Sequence, residues 1–501
     1  MQMNYIAGFV LLGWLGAVSA ASAQGGSSDI ARQHLESGLQ FYEQERYKQA
    51  LNDFQIIVTS MADTDYADDA MLHIGQYYLD VEQDFDKARQ NFDALLQRYP
   101  TGDKAPGAYY YLGLVALRSD RSGKSLDDAM ANFQRVIRLY PQSEFVAAAL
   151  TATGLALERL GRWQEAVDVY SQVVSEHANS SSAPSAQVAI GRSTVRLGDP
   201  FQGMLELQRA RNEYPDSAEA TEALDLLTLV FRFYANPQFG RPISFQKDAA
   251  FSPQVQKFKD VLAVRLSPSG IHVLEKGNKR VATFDATGKL TGTQAAADPK
   301  TLSVDPQGIL VVANQKSLII GGRATVLKVP DENGPKPLEK ITAATRDRFG
   351  DLYVYDESQR NVLRFDASGT VKGPFPDSTP REALLLEVDS SGNIMIMDKK
   401  DRSVEVFTPD GVRTARLQKS GAKWDLKKPV DIAVGGAGYI YLLDQDSGQV
   451  VVFDPSYQFV ALLSPSNLGG GVLGKPTTLD VDGTGALYVY DDKAKTLIRF
   501  Q

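Results

Sequence analysis

The 501-residue sequence has no cysteine and only four histidines. Without cysteine the chain forms no disulfide, no cysteine-ligated zinc site, no iron–sulfur cluster and no thiol intermediate, and it offers no cysteine to a lipid anchor. The histidines stand singly, at His34, His73, His177 and His272, so they form neither an H-E-x-x-H zinc motif nor a Ser/His/Asp pattern. The sequence therefore predicts no catalytic residue, no metal and no cofactor.

Positive charge is also scarce. The chain has 53 basic and 61 acidic residues, a net charge of −8, which argues against nucleic acid as the main ligand. The deficit is uneven, since residues 24–240 carry 19 basic and 30 acidic side chains, whereas residues 241–501 carry 34 and 31. A length of 501 residues with 43% apolar side chains indicates about two to four globular domains.

Residues 1–28 contain no charged side chain. An apolar run from Ile6 to Ala20 is followed by Ala21-Ser22-Ala23, a pattern typical of a secretory signal peptide cleaved after Ala23. The run is shorter than the roughly 20 residues of a membrane-spanning helix. Because Met1–Tyr5 lacks the usual Lys or Arg, an uncleaved membrane anchor stays an alternative. Both interpretations place the folded chain outside the cytoplasm, in the periplasm or associated with the outer membrane.

Small residues recur at a helical-repeat spacing in the first half of the chain. Gly38, Gly75, Gly113, Gly154 and Gly191 are 37, 38, 41 and 37 residues apart. Each is followed by a second small residue and, four positions later, by a large apolar one; these pairs are Ala50/Phe54, Ala88/Phe92, Ala129/Phe133, Ala166/Tyr170 and Gly203/Leu207. Proline ends three units, at Pro100, Pro141 and Pro215. The pattern predicts five helix pairs over residues 30–235, with a closing helix at 218–235.

These five units resemble the tetratricopeptide repeat. The phrases that end in Tyr-Pro, at Tyr99-Pro100, Tyr140-Pro141 and Tyr214-Pro215, resemble periplasmic repeat proteins of the Tol–Pal accessory and outer-membrane assembly type. The resemblance implies a solenoid whose first helices line a concave partner-binding face. Two features of those relatives, a lipobox cysteine and an N-terminal coiled-coil heptad, do not occur here.

After residue 260 the apolar pattern changes from a helical period to short strands. Six apolar strands each follow a turn that ends in glycine, at Gly270, Gly308, Gly350, Gly392, Gly438 and Gly485. The spacings of 38 to 47 residues match one four-stranded propeller blade. Asp305, Asp347, Asp389 and Asp482 open four of these D-x-x-G turns. The repeats resemble the NHL type and predict a six-bladed propeller over 261–501.

The chain ends after the third strand of the sixth blade, so its fourth strand must come from elsewhere. We expect residues 243–258 to supply it, because an open sheet edge promotes aggregation. The predicted fold is thus multidomain α + β: a signal peptide (1–23), a short linker (24–29), a tetratricopeptide solenoid (30–235), a linker with the closing strand (236–260) and an all-β six-bladed propeller (261–501).

Two sets of candidate binding residues follow from the resemblances. The first-helix positions that line the groove in tetratricopeptide proteins correspond to Leu35, Leu39, Tyr42, Leu72, Gln76, Tyr110, Leu114, Leu117, Thr151, Leu155, Val188 and Val195, with Arg118, Arg159, Arg192 and Arg196 toward one end. The polar residues of the innermost propeller strands are Arg265, Ser303, Thr345, Glu387 and Asp480. The alternative for the first set is that its apolar residues are buried between helices. The alternative for the second set is that its polar residues simply line the channel.

These features predict a non-enzymatic, exported scaffold of the bacterial cell envelope. It would bind protein partners of the envelope or the secretion machinery through the groove and the propeller surface. The alternative function is a ligand sensor, or a lyase- or hydrolase-like enzyme, at the propeller mouth. Binding of one calcium ion by the propeller is a further alternative. The carboxylates that end the second strands are instead expected to brace the following loops through backbone N–H groups.

The first prediction concerns export. The exported protein is expected to begin at Gln24, because the small-x-small site follows an apolar run too short to remain as a membrane span. Intact-mass analysis of the protein recovered outside the cytoplasm tests this. A species that still carries Met1 and sediments with membranes would support the uncleaved anchor instead.

Overall fold

The computed structural model describes residues 27–119, 123–239, 241, 243–253, 258–347, 349–375, 382–389, 391–418, 424–435, 437–468 and 473–501. The predicted signal peptide lies outside these residues. The chain divides into two compact units, Met1–Ala183 and Pro184–Gln501. Each unit is considered by itself.

The first unit consists of antiparallel helix pairs, as the sequence predicts. Its helices are α1 (27–43), α2 (Tyr47–Ser60), α3 (Ala67–Gln76, continued by a π-helical turn, Tyr77–Val81), α4 (Phe85–Arg98), α5 (Ala105–Ser119), α6 (Gly123–Leu139), α7 (Phe145–Arg159) and α8 (Trp163–Glu176). Each helix also contacts the next one along the chain, from α2 to α8. This succession of neighbour contacts is the geometry of a helical repeat array.

The repeated glycines make room for the large apolar residue of the same pair. A Cβ atom added at Gly38 would lie 2.5 Å from Phe54, at Gly75 2.3 Å from Phe92, and at Gly113 2.3 Å from Phe133. Such distances are well inside van der Waals contact, so no larger residue fits without displacing the ring. Phe54 and Phe92 also stack on rings of the following pair, His73 and Tyr111, with centroids 5.2 and 5.4 Å apart. One ring thus fixes two neighbouring repeats.

The second unit begins with helices and continues into the propeller. Its helices are α9 (Ala183–Arg196, starting at the boundary), α10 (Pro200–Glu213), α11 (Ala218–Val230, continued by a π-helical turn, Phe231–Ala235) and α12 (Asn236–Gln238). Leu226, Leu229 and Phe233 share one hydrophobic core with Tyr439 and Leu487 of the propeller. Phe233 stacks on Tyr439 with ring centroids 5.2 Å apart.

The unit boundary therefore differs from the division at residue 235 that the repeat pattern suggests. The last helices keep the repeat spacing, but they bury their apolar residues against the propeller strands. Periodicity along the chain identifies the helices and does not identify which core receives them.

Six antiparallel sheets form the propeller. Blade 1 contains β1 (Val261–Ser267), β2 (Gly270–Glu275), β3 (Arg280–Phe284) and β4 (Leu290–Ala295). Blade 2 contains β5 (Pro299–Val304), β6 (Leu310–Asn314), β7 (Leu318–Ile320) and β8 (Arg323–Thr325). A hairpin of β9 (Lys328–Val329) and β10 (Lys336–Pro337) follows blade 2. Blade 3 contains β11 (Ile341–Arg346), β12 (Leu352–Asp356), β13 (Asn361–Phe365) and β14 (Val371–Phe375), and blade 4 contains β15 (Ala383–Val388), β16 (Ile394–Asp398), β17 (Ser403–Phe407) and β18 (Arg413–Leu417). Blade 5 contains β19 (Pro429–Val434), β20 (Ile440–Asp444), β21 (Gln449–Phe453) and β22 (Phe459–Leu463), and blade 6 contains β23 (Pro476–Val481), β24 (Leu487–Asp491) and β25 (Thr496–Phe500).

The ring is closed. The innermost strands β1, β5, β11, β15, β19 and β23 contact one another in this order, and β23 contacts β1 again. The D-x-x-G turns have the predicted geometry: Gly308, Gly350, Gly392 and Gly485 have φ between +78° and +91°. Asp305 accepts hydrogen bonds from the backbone of Gln307 and Ile309, at 2.9 and 2.8 Å. The local sequence therefore dictates each turn.

Carboxylates at the ends of the second strands hold the loops between blades. Asp356 accepts hydrogen bonds from the backbone N–H groups of Lys340 and Ser358, at 3.1 and 2.8 Å. Asp444 accepts from Lys428 at 2.6 Å, and Asp491 from Lys475 at 3.0 Å. These aspartates thus brace the backbone, which is the role expected from their recurrence.

A segment that precedes blade 1 pairs with the last strand of blade 6. Gln246 and Gln501 exchange two backbone hydrogen bonds of 2.8 and 2.9 Å, and Asp248 N–H donates to the Arg499 carbonyl at 2.9 Å. The Arg499 side chain also forms an ion pair with Asp248 at 3.2 Å. Chain segments from both ends of the propeller thus share one sheet.

The second prediction tests this closure. In Gln246→Pro the chain loses the N–H donor to Gln501, and we expect the melting temperature to fall by several degrees, since a ladder hydrogen bond and strand packing are lost together. Calorimetry of the full chain measures the change. Lys247→Pro is the matched control, because alternate N–H groups of a strand point to opposite edges. Equal effects of the two substitutions would show that the pairing contributes nothing specific.

Candidate functional site

One face of the first unit presents a row of partly exposed side chains. The residue directly after each glycine of α1, α3, α5 and α7 forms this first-helix row: Leu39, Gln76, Leu114 and Leu155. Leu39 is 36% exposed, and the other three are half-buried. These side chains therefore keep apolar surface available to a partner.

Other groove candidates lie deeper. Leu35, Leu72 and Leu117 are buried in the helical core, with 8%, 6% and 3% of their surface exposed. For these three leucines, burial between helices is the better interpretation than a place on the binding face, because little of their surface can contact a partner. Thr151 is half-buried in the first unit; in the second unit, Val188 is buried and Val195 is half-buried.

Aromatic residues lie beside the first-helix row. Tyr42 and Tyr110 are half-buried, and burial raises the pKa of Tyr42 to about 12, with a smaller effect of the Asp80 carboxylate. Gln76 Nε2 donates a hydrogen bond to the hydroxyl of Tyr111. Tyr110 and Tyr111 are in edge contact, with ring centroids 5.2 Å apart. Tyr111 was absent from the sequence candidates, although its place two residues before Gly113 puts it on the same turn as Tyr110.

The four arginines are divided between the two units, with Arg118 and Arg159 in the first and Arg192 and Arg196 in the second. Arg118 pairs with Asp80 at 2.6 Å, and Arg159 donates to the Leu117 carbonyl at 2.8 Å. Arg192 and Arg196 belong to the second unit, where they contact Glu222 at 3.4 Å and the Ser391 hydroxyl at 3.2 Å. Each guanidinium is thus engaged by its own unit.

A buried cluster of charges occupies the propeller axis. Arg265 of blade 1 forms a two-pronged ion pair with Asp431 of blade 5, with Nη2–Oδ1 and Nη1–Oδ2 distances of 2.8 and 3.0 Å. Glu387 of blade 4 approaches from another side, and its Oε2 lies 3.8 Å from Arg265 Nε. Asp480 of blade 6 accepts hydrogen bonds from the backbone N–H groups of Leu266 and Val481, at 2.6 and 2.8 Å. Three predicted channel residues therefore meet at one point.

The remaining predicted channel residues are buried near the axis but play a different part. Ser303 donates a hydrogen bond to the Ala344 carbonyl at 3.0 Å, which links blades 2 and 3. Thr345 is fully buried. Asp431, which pairs with Arg265, was missed by the sequence reasoning. Its signal was present in the alternation of β19. Ala433 of that strand lines the channel, and Asp431, two residues earlier, therefore lies on the same face of the strand.

The two carboxyl groups beside the Arg265–Asp431 pair hold protons to unusually high pH. Burial raises the pKa of Glu387 to about 8 against the opposing attraction of Arg265, and it raises the pKa of Asp480 to about 7 in the same way. Burial disfavours the charged form of a carboxyl group, whereas the guanidinium favours it. Burial is the largest single influence on Arg265 and lowers its pKa, but the attraction and hydrogen bonds of Asp431, together with the attraction of Glu387 and Asp480, outweigh it and raise the pKa above its usual value.

A cavity of about 340 Å³ opens beside this cluster. Its walls include Arg265, Glu387 and Asp480, together with the first residues of the turns that follow the innermost strands. Two of these residues already have partners. Asp305 forms an ion pair with Arg346, and Asp389 accepts a hydrogen bond from the Tyr457 hydroxyl. The cavity therefore lies at the turn end of the channel.

Helices of the second unit flank the same end of the channel. Arg232 donates a hydrogen bond to the Gly485 carbonyl at 3.0 Å in the blade 6 turn, next to Leu229. Arg196 reaches Ser391 in the blade 4 turn. The helices thus contact turns on two sides of the cavity, and its lining comes from propeller strands and turns.

His272 does not belong to this cavity. Its Nε2 lies 2.7 Å from the Ser267 hydroxyl, and its Nδ1 lies 3.0 Å from the Thr283 hydroxyl. Burial lowers the pKa of His272 to about 4, so the ring is neutral and weakly basic at neutral pH. Within the described residues, no group of three or more acidic or histidine side chains is arranged to hold a metal ion. No helix in the described part of the chain is long and apolar enough to cross a membrane.

The family comparisons agree with the repeat pattern. Residues 28–162 match the family model described as outer membrane lipoprotein (YfiO), and residues 148–180 match a tetratricopeptide repeat model. The N-terminal helices thus form a helical repeat region that is similar to tetratricopeptide proteins. No curated protein sequence matches the chain.

Among solved structures, the propeller is similar to virginiamycin B lyase from Staphylococcus aureus (12% identity, 48% of this chain and 80% of that chain, TM-score 0.34) and to a gluconolactonase from Xanthomonas campestris (17%, 46% and 81%, TM-score 0.35). A tetratricopeptide protein from Thermus thermophilus is also similar (18%, 39% and 98%, TM-score 0.32). At these identities and scores the likeness says nothing about activity.

The third prediction concerns the pH dependence of stability. In the native state Glu387 keeps its proton up to a pH of about 8, whereas in the unfolded chain it loses it near 4.5. The unfolded state therefore binds fewer protons in this interval, so the free energy of unfolding decreases as the pH rises from 5 to 8. Because a difference of one proton between the two states is worth about 1.4 kcal/mol per pH unit, Glu387→Gln is expected to make this decrease shallower by up to about 4 kcal/mol over the three pH units.

Thermal unfolding at several pH values measures the effect. Glu382→Gln is the control, since Glu382 lies in the same blade with 53% of its side chain exposed. If Glu387→Gln and Glu382→Gln have the same pH profile as the unmodified chain, the Glu387 carboxyl is not held protonated by burial.

Proposed function

We propose that the protein is an exported, non-enzymatic interaction scaffold of the bacterial cell envelope that binds protein partners through the first-helix row. The observation that carries this is the partly exposed row of Leu39, Gln76, Leu114 and Leu155 within the region that matches the outer membrane lipoprotein model. Tetratricopeptide arrays typically use such a face to bind an extended or helical segment of another protein. The envelope location rests on this match and on the predicted signal peptide.

The chemistry of the face favours a partner segment with apolar anchors. Tyr42, Tyr110 and Tyr111 add large rings beside the leucines, and such rings are frequent at the energetic centres of protein interfaces. Full burial of one leucine contributes roughly 1.5–3 kcal/mol, or about ten- to a hundredfold in affinity.

The charged cavity favours a second candidate function, a propeller that senses a ligand or acts as a lyase- or hydrolase-like enzyme. Glu387 and Asp480 have the raised pKa values that general acids often need. Among the described residues that line the cavity, Arg265 is the only cation, and it is neutralised by Asp431. The cluster therefore supports binding better than a defined reaction, and we place the enzyme second.

The fourth prediction tests the first-helix row. Benzoylphenylalanine replaces Leu39 in the full chain, expressed in its own host, and ultraviolet light is expected to link it covalently to a partner protein. Adding Leu114→Glu and Leu155→Glu is expected to reduce the adduct at least tenfold, because two apolar contacts become desolvated charges. Gel analysis and mass spectrometry of the adduct measure the change.

The matched control adds Leu139→Glu, since Leu139 is 61% exposed on α6, outside the first-helix row. Far-UV circular dichroism checks that the variants remain helical. A folded double variant that keeps the full adduct would show that this row does not hold the partner.

A further inference from the structure

The cavity at the propeller axis has more acidic than basic groups. Arg265 is surrounded by Asp431, Glu387 and Asp480, each from a different blade. Asp431 bonds both terminal nitrogens of the guanidinium, and the Val264 and Leu479 carbonyls accept further hydrogen bonds from it. Asp480 accepts two backbone hydrogen bonds, whereas Oε2 of Glu387 has no donor among the described residues and lies beside an open space. We propose that this cavity binds a small organic cation that carries an ammonium or guanidinium group.

Glu387 is the central residue of the proposed site. It is 8% exposed, it lines the cavity, and within the described residues its Oε2 has no hydrogen-bond partner. Arg265 Nε also lacks one and lies 3.8 Å away, beyond hydrogen-bond distance. An unsatisfied buried carboxyl is costly, so a donor that reaches it gains more than it would at the surface. An ammonium or guanidinium group supplies such a donor together with the missing charge.

The size and lining of the cavity restrict the ligand. A volume of about 340 Å³ is at the lower end of small-molecule sites, so the ligand is a metabolite rather than a protein segment. Leu266, Val304, Pro306 and Val434 provide apolar wall surface, which suits a short carbon chain attached to the cationic group. An anion finds no free cation here, because Arg265, the only cation among the described lining residues, is already paired with Asp431.

The other charged groups around the cavity already have partners. Asp305 bonds Arg346, and Asp389 accepts hydrogen bonds from Tyr457 and from the Asn393 side chain. Asp431 additionally accepts from Thr478 and from the Leu479 backbone N–H. Asp480 also has partners, the backbone N–H groups of Leu266 and Val481, but burial still raises its pKa as it does that of Glu387, so the protonation of these two groups is expected to respond to a bound cation. Because burial holds their pKa values near 8 and 7, binding a cation at neutral pH is expected to release a proton.

The fifth prediction uses the full chain and three named probes, agmatine, putrescine and n-butylamine, with succinate as the anionic comparison. Isothermal titration calorimetry is expected to show binding of at least one cation and no binding of succinate. Repeating the titration at neutral pH in buffers of different ionisation enthalpy measures the proton release. This proposal does not depend on the first-helix row, and the experiment does not involve a partner protein.

Two variants and one control make the test specific. Glu387→Gln keeps the side-chain shape and is expected to weaken cation binding at least tenfold and to reduce the proton release. Ala433→Val narrows the cavity without changing a charge and is expected to weaken binding to a similar extent, since Ala433 lines it. Glu382→Gln, at an exposed position just before β15 and outside the cavity lining, is expected to bind as the unmodified chain does.

The outcomes are distinct. Binding that is lost in Glu387→Gln and Ala433→Val, and kept in Glu382→Gln, supports the site. The proposal is overturned if none of the three cations binds, if both cavity variants bind them with unchanged affinity, or if succinate binds more tightly than the cations do. Circular dichroism of each variant establishes that the propeller is folded.

Discussion

Burial of the Arg265 guanidinium at the propeller axis constrains the whole centre of the second unit. A charge that is 3% exposed is tolerated only with close partners, and here Asp431 supplies two ion-pair contacts while the Val264 and Leu479 carbonyls accept further hydrogen bonds. These partners come from blades 1, 5 and 6, so the cluster joins strands that are distant in sequence. Removing either ionic partner would leave an uncompensated buried charge.

The same cluster explains why the cavity is a candidate ligand site rather than an ordinary channel lining. One carboxylate pairs with the arginine, and burial raises the pKa of Glu387 to about 8 and that of Asp480 to about 7, because it disfavours their charged forms. A stable fold and a responsive site are thus built from one set of side chains. The charged centre holds the blades together, and its surplus carboxyls remain available to a cation.

The first unit depends on a different kind of contact. At Gly38 and Gly75 the first helix accommodates a ring from the second helix of its pair, and that ring stacks on a ring of the next repeat. Side chains that point away from this contact do not take part in holding the repeats together. Leu39, Leu114 and Leu155 lie next to the glycines, in the part of the helix that packing leaves partly exposed. The structural constraint and the proposed partner surface therefore occupy adjacent positions on one helix.

The sequence by itself determined the features that depend on short spacings. Glycine and ring positions identify the repeats because both lie within one helix pair, as Gly38 and Phe54 do. Asp305 with Gly308 dictates a turn because the two residues are only three positions apart. Tertiary structure alone decided which residues meet over long distances. The sequence placed Arg265, Glu387 and Asp480 on innermost strands, but it did not identify Asp431, which is 166 residues from Arg265, as the ionic partner. It also did not reveal that Leu35, Leu72 and Leu117 are buried, or that α9 to α11 pack with the propeller. The periodicity of apolar residues specifies which face of a helix or strand is buried. Which other helix or strand packs against that face depends on how all the elements assemble around a common core.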